Sequence, residues 1–216
     1  MAKSHIYVAD ADRDSRVSLM RWAAERGSPG RPFLSGADFI AELPHLECGI
    51  VFIDVQNSGG NGFEVIEAVV QSSRTCVVIG MAHAADTIVA VAALKRGAVD
   101  FLVKPIALTA LHEAVANAER IMEQRRHITE QTQRDGDALG RLTGRERQVL
   151  ACLATGMTSK AIAEESGISA RTVEGHRAAL MDKLDAETTA AAIATSVRYE
   201  TVLLANASRD PGPPRA

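Results

Sequence analysis

The stretch "HIYVADADRDS", His5 to Ser15, decides how the N-terminal half of this chain is read. An apolar run, Ile6 to Ala9, ends in acids at Asp10, Asp12 and Asp14, and Ala11 stands where a second adjacent carboxylate would be expected. Carboxylates crowded at the end of a buried strand repel one another unless a cation or a hydrogen-bond network neutralises them. The stretch is therefore a working metal site, the remains of one, or a solvated turn.

Beyond it, β-rich runs alternate with helical patterns up to about residue 105. Strands are predicted at His5–Ala9, Arg31–Leu34, Gly49–Ile53, Thr75–Met81 and Val99–Val103. Apolar residues at helical spacing predict helices at Arg16–Arg26, Ala37–Leu43, Gly62–Gln71 and Asp86–Arg96. Five strands alternating with helices predict an α/β doubly wound, five-stranded parallel sheet of the flavodoxin-like type. In such a sheet the working crevice lies at the carboxyl ends of the strands, where Asp10 falls.

A longer pattern starts near Leu108. Leu111, Val115, Ala118, Met122 and Arg125 step by four and three residues, close to a heptad seam, with only about two apolar heptads. Asp135-Gly136-Asp137 reads as a helix stop. From Leu139 the chain reads as all-α with four helices. Thr143-x-x-Glu146 is a capping box ahead of Val149, Leu150 and Leu153, and Gly156 ends that helix. Short and longer helices follow at Ser159–Glu165 and Ala170–Leu184, joined through "ESGIS", and a last one spans Glu187 to Leu203. The domains are thus read as 1–122, a linker helix over 123–138, a helical domain over 139–204 and a disordered tail, "SRDPGPPRA" included, over 205–216.

Composition narrows the class. At 46% apolar and 24% charged the 216 residues are ordinary for a globular protein. No apolar segment follows a basic start and no apolar run approaches a bilayer span, so the expectation is a cytoplasmic protein with no membrane partner. Cys48, Cys76 and Cys152 lack metal-ligand spacing and read as reduced thiols. The net charge of −3, and the ten basic against ten acidic residues over 137–216, exclude nucleic-acid binding through bulk charge. Any such binding must come from basic groups gathered on one face.

Two helices joined through a glycine turn are a helix-turn-helix pattern shared by many αα-corners. The whole run "LTGRERQVLACLATGMTSKAIAEESGISARTVEGHRAALMDKL" is more specific. It resembles the LuxR-type helix-turn-helix domain of FixJ/NarL-class response regulators. The matching pieces are Leu142-Thr143-x-Arg145-Glu146, Lys160-x-Ile162-Ala163, Gly167-Ile168-Ser169, Thr172-Val173-Glu174-x-His176-Arg177 and Lys183-Leu184. On the Ala170–Leu184 helix, Val173, Leu180 and Leu184 form a stripe for the core. Arg171, Glu174, Arg177 and Ala178 lie opposite, on the face a recognition helix presents to the major groove. Lys160, Arg171, Thr172, His176 and Arg177 are the expected phosphate and base contacts, with Arg177 the strongest. The resemblance places base reading at Glu174, Gly175 and Ala178. Two readings stay open for Glu174, a base contact or a surface charge, and two for His176, a phosphate contact or a core-edge histidine.

Residues 4 to about 122 resemble a response-regulator receiver. On that resemblance Asp54, closing "GIVFID", is the phosphoacceptor and Lys104, ahead of Pro105, pairs with the phosphoryl group. Phe101 is the aromatic switch residue, Ala82 falls where the hydroxyl-bearing switch residue belongs, and Gly62 opens the third helix. Asp10, Asp54 and the Gln56 carbonyl are the implied Mg²⁺ ligands. Three departures matter: Ala11 replaces the second of two adjacent acids, Ala82 cannot bond a phosphoryl oxygen, and Ser58 replaces a common proline. Together they predict weakened Mg²⁺ binding and a blunted response.

The implied function is a DNA-binding transcription regulator of a two-component phosphorelay, not an enzyme. Its partners would be promoter DNA, a sensor histidine kinase, RNA polymerase and a second copy in a homodimer. The alternative is a regulator whose receiver acts without phosphorylation, as a dimerisation or partner-sensing module. A Mg²⁺-dependent phosphohydrolase with Asp54 as nucleophile is disfavoured, because Val55 and Gln56 follow Asp54 where an Asp-x-Asp acid would be needed.

Overall fold

The computed structural model describes residues 3–56, 62–72, 76–83 and 87–207. Packing divides the chain into two compact units, Met1–Arg126 and His127–Ala216. Strands β1 (His5–Ala9), β2 (Gly30–Phe33), β3 (Gly49–Asp54), β4 (Val77–Ala82) and β5 (Asp100–Val103) belong to the first. They alternate with helices α1 (Arg13–Glu25), α2 (Gly36–Glu42), α3 (Gly62–Gln71) and α4 (Thr87–Lys95), and α5 (Leu108–Gly140) follows.

All strand pairs are parallel, in the order β2-β1-β3-β4-β5. β3 and β4 are buried at every position, which is why they read as unbroken apolar runs: helices cover both faces. On one face Phe39 of α2 and Val65, Ile66 and Val69 of α3 pack over Val51, Ile53 and Val78. On the other, Leu19 and Trp22 of α1 and Leu111, Val115 and Ala118 of α5 pack over Ile6, Val8, Phe52 and Ile79. The strand order reverses between β1 and β3, so the loops leaving their carboxyl ends diverge and open a crevice there. Asp10 follows β1 and Asp54 ends β3, on the two lips of that crevice.

Several element bounds differ from the sequence expectation. α1 begins at Arg13 rather than Arg16, because the Asp12 side chain accepts from the Asp14 and Ser15 amides and caps it. β2 stops at Phe33, leaving Leu34 65% exposed. Ser58, Thr75 and Asp86 lie outside the described residues, as do 208–216 of the tail, whereas Ala205 to Ala207 continue the last helix.

The apolar stripe of α5 does not form a coiled-coil seam. Leu111, Val115 and Ala118 are 5% exposed or less against the helix's own sheet, and Arg125 donates to the Cys76 carbonyl at 3.0 Å. Nor do Asp135-Gly136-Asp137 stop the helix, which runs on to Gly140. Asp135 is buried and accepts from both Nε and Nη2 of Arg198, at 3.1 and 3.2 Å. A Cβ on Gly136 would stand 2.7 Å from the Tyr199 ring. The glycine therefore admits a close helix–helix approach, which outweighs its poor helix propensity.

The second unit continues with α6 (Gly144–Ala154), α7 (Ser159–Ser166), α8 (Ala170–Lys183) and α9 (Thr189–Ala207) around Val149, Leu150, Leu153, Ile162, Val173, Leu180, Leu184 and Ala192. Each helix start is capped by a side chain that the sequence displays. Thr143 and Glu146 make the reciprocal capping box, and Thr158 and Ser169 cap α7 and α8. Gly167 ends α7 at φ 66°, a left-handed conformation that suits glycine.

Glu146 is buried and accepts from Lys183 Nζ at 2.8 and 2.7 Å. The Lys183 ammonium, and after it the Thr143 amide, hold its carboxyl below the usual glutamate value of 4.5. The unfolded chain then takes up the proton first, so this stabilisation is complete above pH 4.5 and falls away as pH drops through the lower folded value. Acid unfolding followed by circular dichroism should show the second unit losing stability below pH 4.5, and Lys183→Met should flatten that limb. An unchanged acid limb in Lys183→Met would refute the assignment.

Candidate functional site

At the crevice Lys104, directly after β5, points its ammonium between two carboxylates. Nζ donates to Asp10 Oδ2 and to Asp54 Oδ2, each at 2.5 Å. Both aspartates are fully buried and the lysine side chain is 3% exposed. The remaining oxygens accept from the main chain: Asp10 Oδ1 from the Asp12 amide and Asp54 Oδ1 from the Gln56 amide, both at 2.9 Å. With two carboxylates against one ammonium, the cluster carries a net formal charge of about −1 when all three are ionised. Such charge in a low-dielectric crevice is what attracts a cation, and Mg²⁺ commonly takes one or two carboxylates and completes its shell with water and phosphate oxygens.

Asp12 is not a substitute for the acid missing at Ala11. Its oxygens accept from the Ser15 hydroxyl at 2.8 Å and from the Asp14 and Ser15 amides. The Ser15 hydroxyl first, then the Asp14 amide, hold its carboxyl below the usual range. Within "HIYVADADRDS", Asp10 therefore lines the acid–lysine crevice and Asp12 belongs to the helix start. Among the described residues no group of three or more His, Cys, Asp or Glu side chains is arranged to hold a metal, and the crevice offers the carboxylates of Asp10 and Asp54. Two carboxylates fit a Mg²⁺ that completes its shell with water and phosphate oxygens.

Sequence reading missed Arg16. From the first turns of α1 its Nη1 donates to the carbonyls of Asp10 and Ala11, at 2.6 and 2.8 Å, and so braces the loop that carries Asp10. The signal was its position six residues after Asp10, close enough for an arginine to reach back over its own helix start. Gly62 is also placed by geometry: a Cβ there would stand 2.4 Å from Val55 Cα and 2.9 Å from the Asp54 carbonyl. Any larger residue displaces the chain just after Asp54.

Ala82 ends β4 fully buried, and its carbonyl accepts from the Lys104 amide at 2.8 Å. It thus stands beside the Asp54–Lys104 pair with a methyl group in place of a hydroxyl. The half-buried Phe101 lies over Gly80, where a Cβ would meet its ring at 2.7 Å.

In the second unit α7 and α8 form the helix-turn-helix. Lys160, Arg171, Thr172, Glu174, Gly175 and Ala178 are exposed, and His176 is half-buried. The turn that brings the two helices together is held locally by the Ser169 cap, whose hydroxyl accepts from the Thr172 amide at 3.0 Å. Arg177 differs from the expectation of a free outward base contact. Its side chain is only 31% exposed, and Nη1 donates to the Ser159 hydroxyl at 2.8 Å and to Glu174 Oε1 at 3.1 Å. Nη2 donates to the Thr189 hydroxyl at 3.0 Å. The guanidinium therefore ties α7, α8 and α9 together, through partners 18 and 12 residues away that no local pattern could have signalled.

A doubly wound sheet with an acid–lysine crevice, followed by a capped helix-turn-helix, defines a response-regulator receiver joined to a DNA-binding domain. Comparison with known proteins agrees: the response regulator receiver domain model matches residues 6–116, and that of the luxR family of bacterial regulatory proteins matches 141–195. The chain belongs to the response regulators of the FixJ/NarL class, and it is a transcription regulator of the two-component type. It is 33% identical to the transcriptional regulatory protein FixJ of Bradyrhizobium diazoefficiens, over 91% of this chain and 96% of the relative. It is 36% identical to that of Azorhizobium caulinodans, over 84% of this chain and 86% of the relative. The solved response regulator StyR superposes with a TM-score of 0.75 at 29% identity, covering 92% of this chain and all of that one. No described helix is long and apolar enough to cross a membrane.

Proposed function

We propose that Asp54 is the phosphoacceptor and that a sensor histidine kinase supplies the phosphoryl group. The observation that carries this reading is the Lys104 ammonium shared between Asp54 and Asp10 in one buried crevice. An Asp54 oxygen attacks phosphorus while the bond to the donor imidazole breaks, and the negative charge gathers on oxygens beside Lys104. Asp10, Asp54 and the Gln56 carbonyl would hold Mg²⁺, which when bound supplies further charge neutralisation there. Lys104 orients the phosphoryl group by releasing Asp54 and bonding a phosphoryl oxygen in its place. With Ala82 in the switch position, the Lys104 ammonium is left as the protein's donor next to β4, which weakens the pull on β4 and Phe101.

Phosphorylation would act by pairing two copies. Val91 and Leu94 of α4 and Val103 of β5 are 42–46% exposed apolar residues on one side of the first unit, and they support a second copy as their cover. Two helix-turn-helix units would then engage half-sites of promoter DNA about one helical turn apart. RNA polymerase would be the downstream partner of the promoter-bound dimer.

Beryllofluoride or acetyl phosphate with Mg²⁺ should shift the full chain from monomer to dimer in analytical ultracentrifugation and raise its affinity for DNA. Asp54→Asn should abolish both effects. Unchanged oligomeric state and DNA affinity in the treated wild type would sink phosphorylation control.

A further inference from the structure

We propose that Arg177 is a positioning residue that sets Glu174 as a rigid hydrogen-bond acceptor on the recognition helix, so that Glu174 selects cytosine at one position of each half-site. This inference rests on the DNA-binding reading above. The outer face of α8 is chemically sparse. A Cβ on Gly175 would meet nothing within 4 Å, and Ala178 is exposed, so these two positions permit close approach and offer no polar group. Glu174, 56% exposed between Arg171–Thr172 and Ala178, is the group there that carries acceptor oxygens without any donor.

A bare carboxylate facing DNA is repelled by phosphates, so a recognition helix that carries one needs its charge offset. Arg177 meets that need from the same helix, one turn on, with Nη1 at 3.1 Å from Glu174 Oε1. Its own fork is fixed from two other helices, by the Ser159 and Thr189 hydroxyls. The Ser159 hydroxyl and the guanidinium both keep the Glu174 carboxyl below the usual range, so it stays ionised and acceptor-only. A carboxylate held in this way bonds the cytosine N4 amino group, is rejected by the guanine O6 and N7 and the thymine O4 acceptors, and at adenine meets the N7 acceptor beside the N6 amino group. Arg177 itself, engaged on three sides, has little left to reach a phosphate.

The test is selection of duplexes with a randomised central region by the full chain, untreated and beryllofluoride-treated, followed by affinity measurement on the winning sequence. Wild type should enrich cytosine at one position per half-site, by roughly 5- to 100-fold over the other bases, the span of one good side-chain–base pair. Glu174→Ala and Arg177→Met should both lose that preference and keep the rest of the site. Arg177→Met should weaken binding in the wild-type background and change it by under about twofold when Glu174→Ala is already present. Thr189→Val removes one brace without touching Glu174 and should keep the cytosine preference. Arg177→Lys keeps the charge and loses the fork, and it should fall between wild type and Arg177→Met even where the latter folds poorly.

The inference is overturned by a cytosine preference that survives Arg177→Met. It is equally overturned by a loss on Arg177→Met that is the same with and without Glu174→Ala, which would make Arg177 a direct phosphate contact. Enrichment of no sequence by wild type in either state would overturn the DNA-binding reading itself.

Discussion

Lys104→Ala is expected to destabilise the first unit by about 3–5 kcal/mol, the usual cost of removing one partner from a buried ion pair. The lysine side chain is 3% exposed and its ammonium bonds two fully buried carboxylates, so its loss leaves Asp10 and Asp54 side by side without a counter-charge. Urea unfolding of the full chain, with hydrogen exchange resolving residues 6–116, measures the change where it arises. Asp54→Asn makes the opposite change to the charge balance, leaving one carboxylate against one ammonium. It should therefore keep or raise stability while ending phosphoryl acceptance. The contrast separates the two roles of the cluster: the lysine holds the resting crevice together, and the aspartate is the proposed phosphoacceptor. A loss under about 1 kcal/mol for Lys104→Ala would mean that water reaches the crevice and screens the carboxylates.

Leu180→Ala is expected to cost the second unit about 2–5 kcal/mol, the range for emptying a leucine site in a packed core. Leu180 is fully buried on the inner stripe of α8, in a cluster that also holds Val149, Ile162 and Val173 from α6, α7 and α8. Loss of that anchor frees the recognition helix from its scaffold, so DNA binding should fall with the folded fraction. Hydrogen exchange over residues 141–195 should speed by at least about 30-fold, the equivalent of 2 kcal/mol. Exchange over 6–116 should stay as in wild type, because the second unit's core draws only on residues from Ala138 onward. Equal acceleration in both segments would show that the two cores fold as one.

Most of the fold is legible in the sequence. The strands at His5–Ala9 and Gly49–Ile53 (one residue longer in the structure), the capping box at Thr143 and Glu146, and the turn at Gly167 all follow from patterns within a few residues. Apolar runs and caps are satisfied locally or by any apolar cover, so they survive without knowledge of the partner. Asp10 is legible as an acid at a strand end, because a parallel sheet brings all its carboxyl ends to one edge, whereas Asp54 and Lys104 come from the resemblance to a receiver.

What misled the reading were residues whose partners are distant. Gly136 reads as a helix stop, yet Tyr199 packs against it, and Asp135 gains its place inside a helix from Arg198, 63 residues on. The stripe of α5 reads as a short heptad pattern, but the sheet of its own unit covers it. Arg177 looked like a free base contact on helical spacing, yet Ser159 and Thr189 claim its guanidinium.

The sequence by itself thus determined the class of protein, the two-domain order and the loss of a carboxylate at Ala11 and a hydroxyl at Ala82. Those are matters of which atoms a side chain has, and no folding changes them. Asp12, an acid suited to a helix start, does cap α1, but only the tertiary structure decided that one lysine bridges two aspartates and that Arg177 braces Glu174. A side chain's direction and its partner are set by packing across the chain, where hydrogen-bond geometry tolerates errors of only tenths of an ångström.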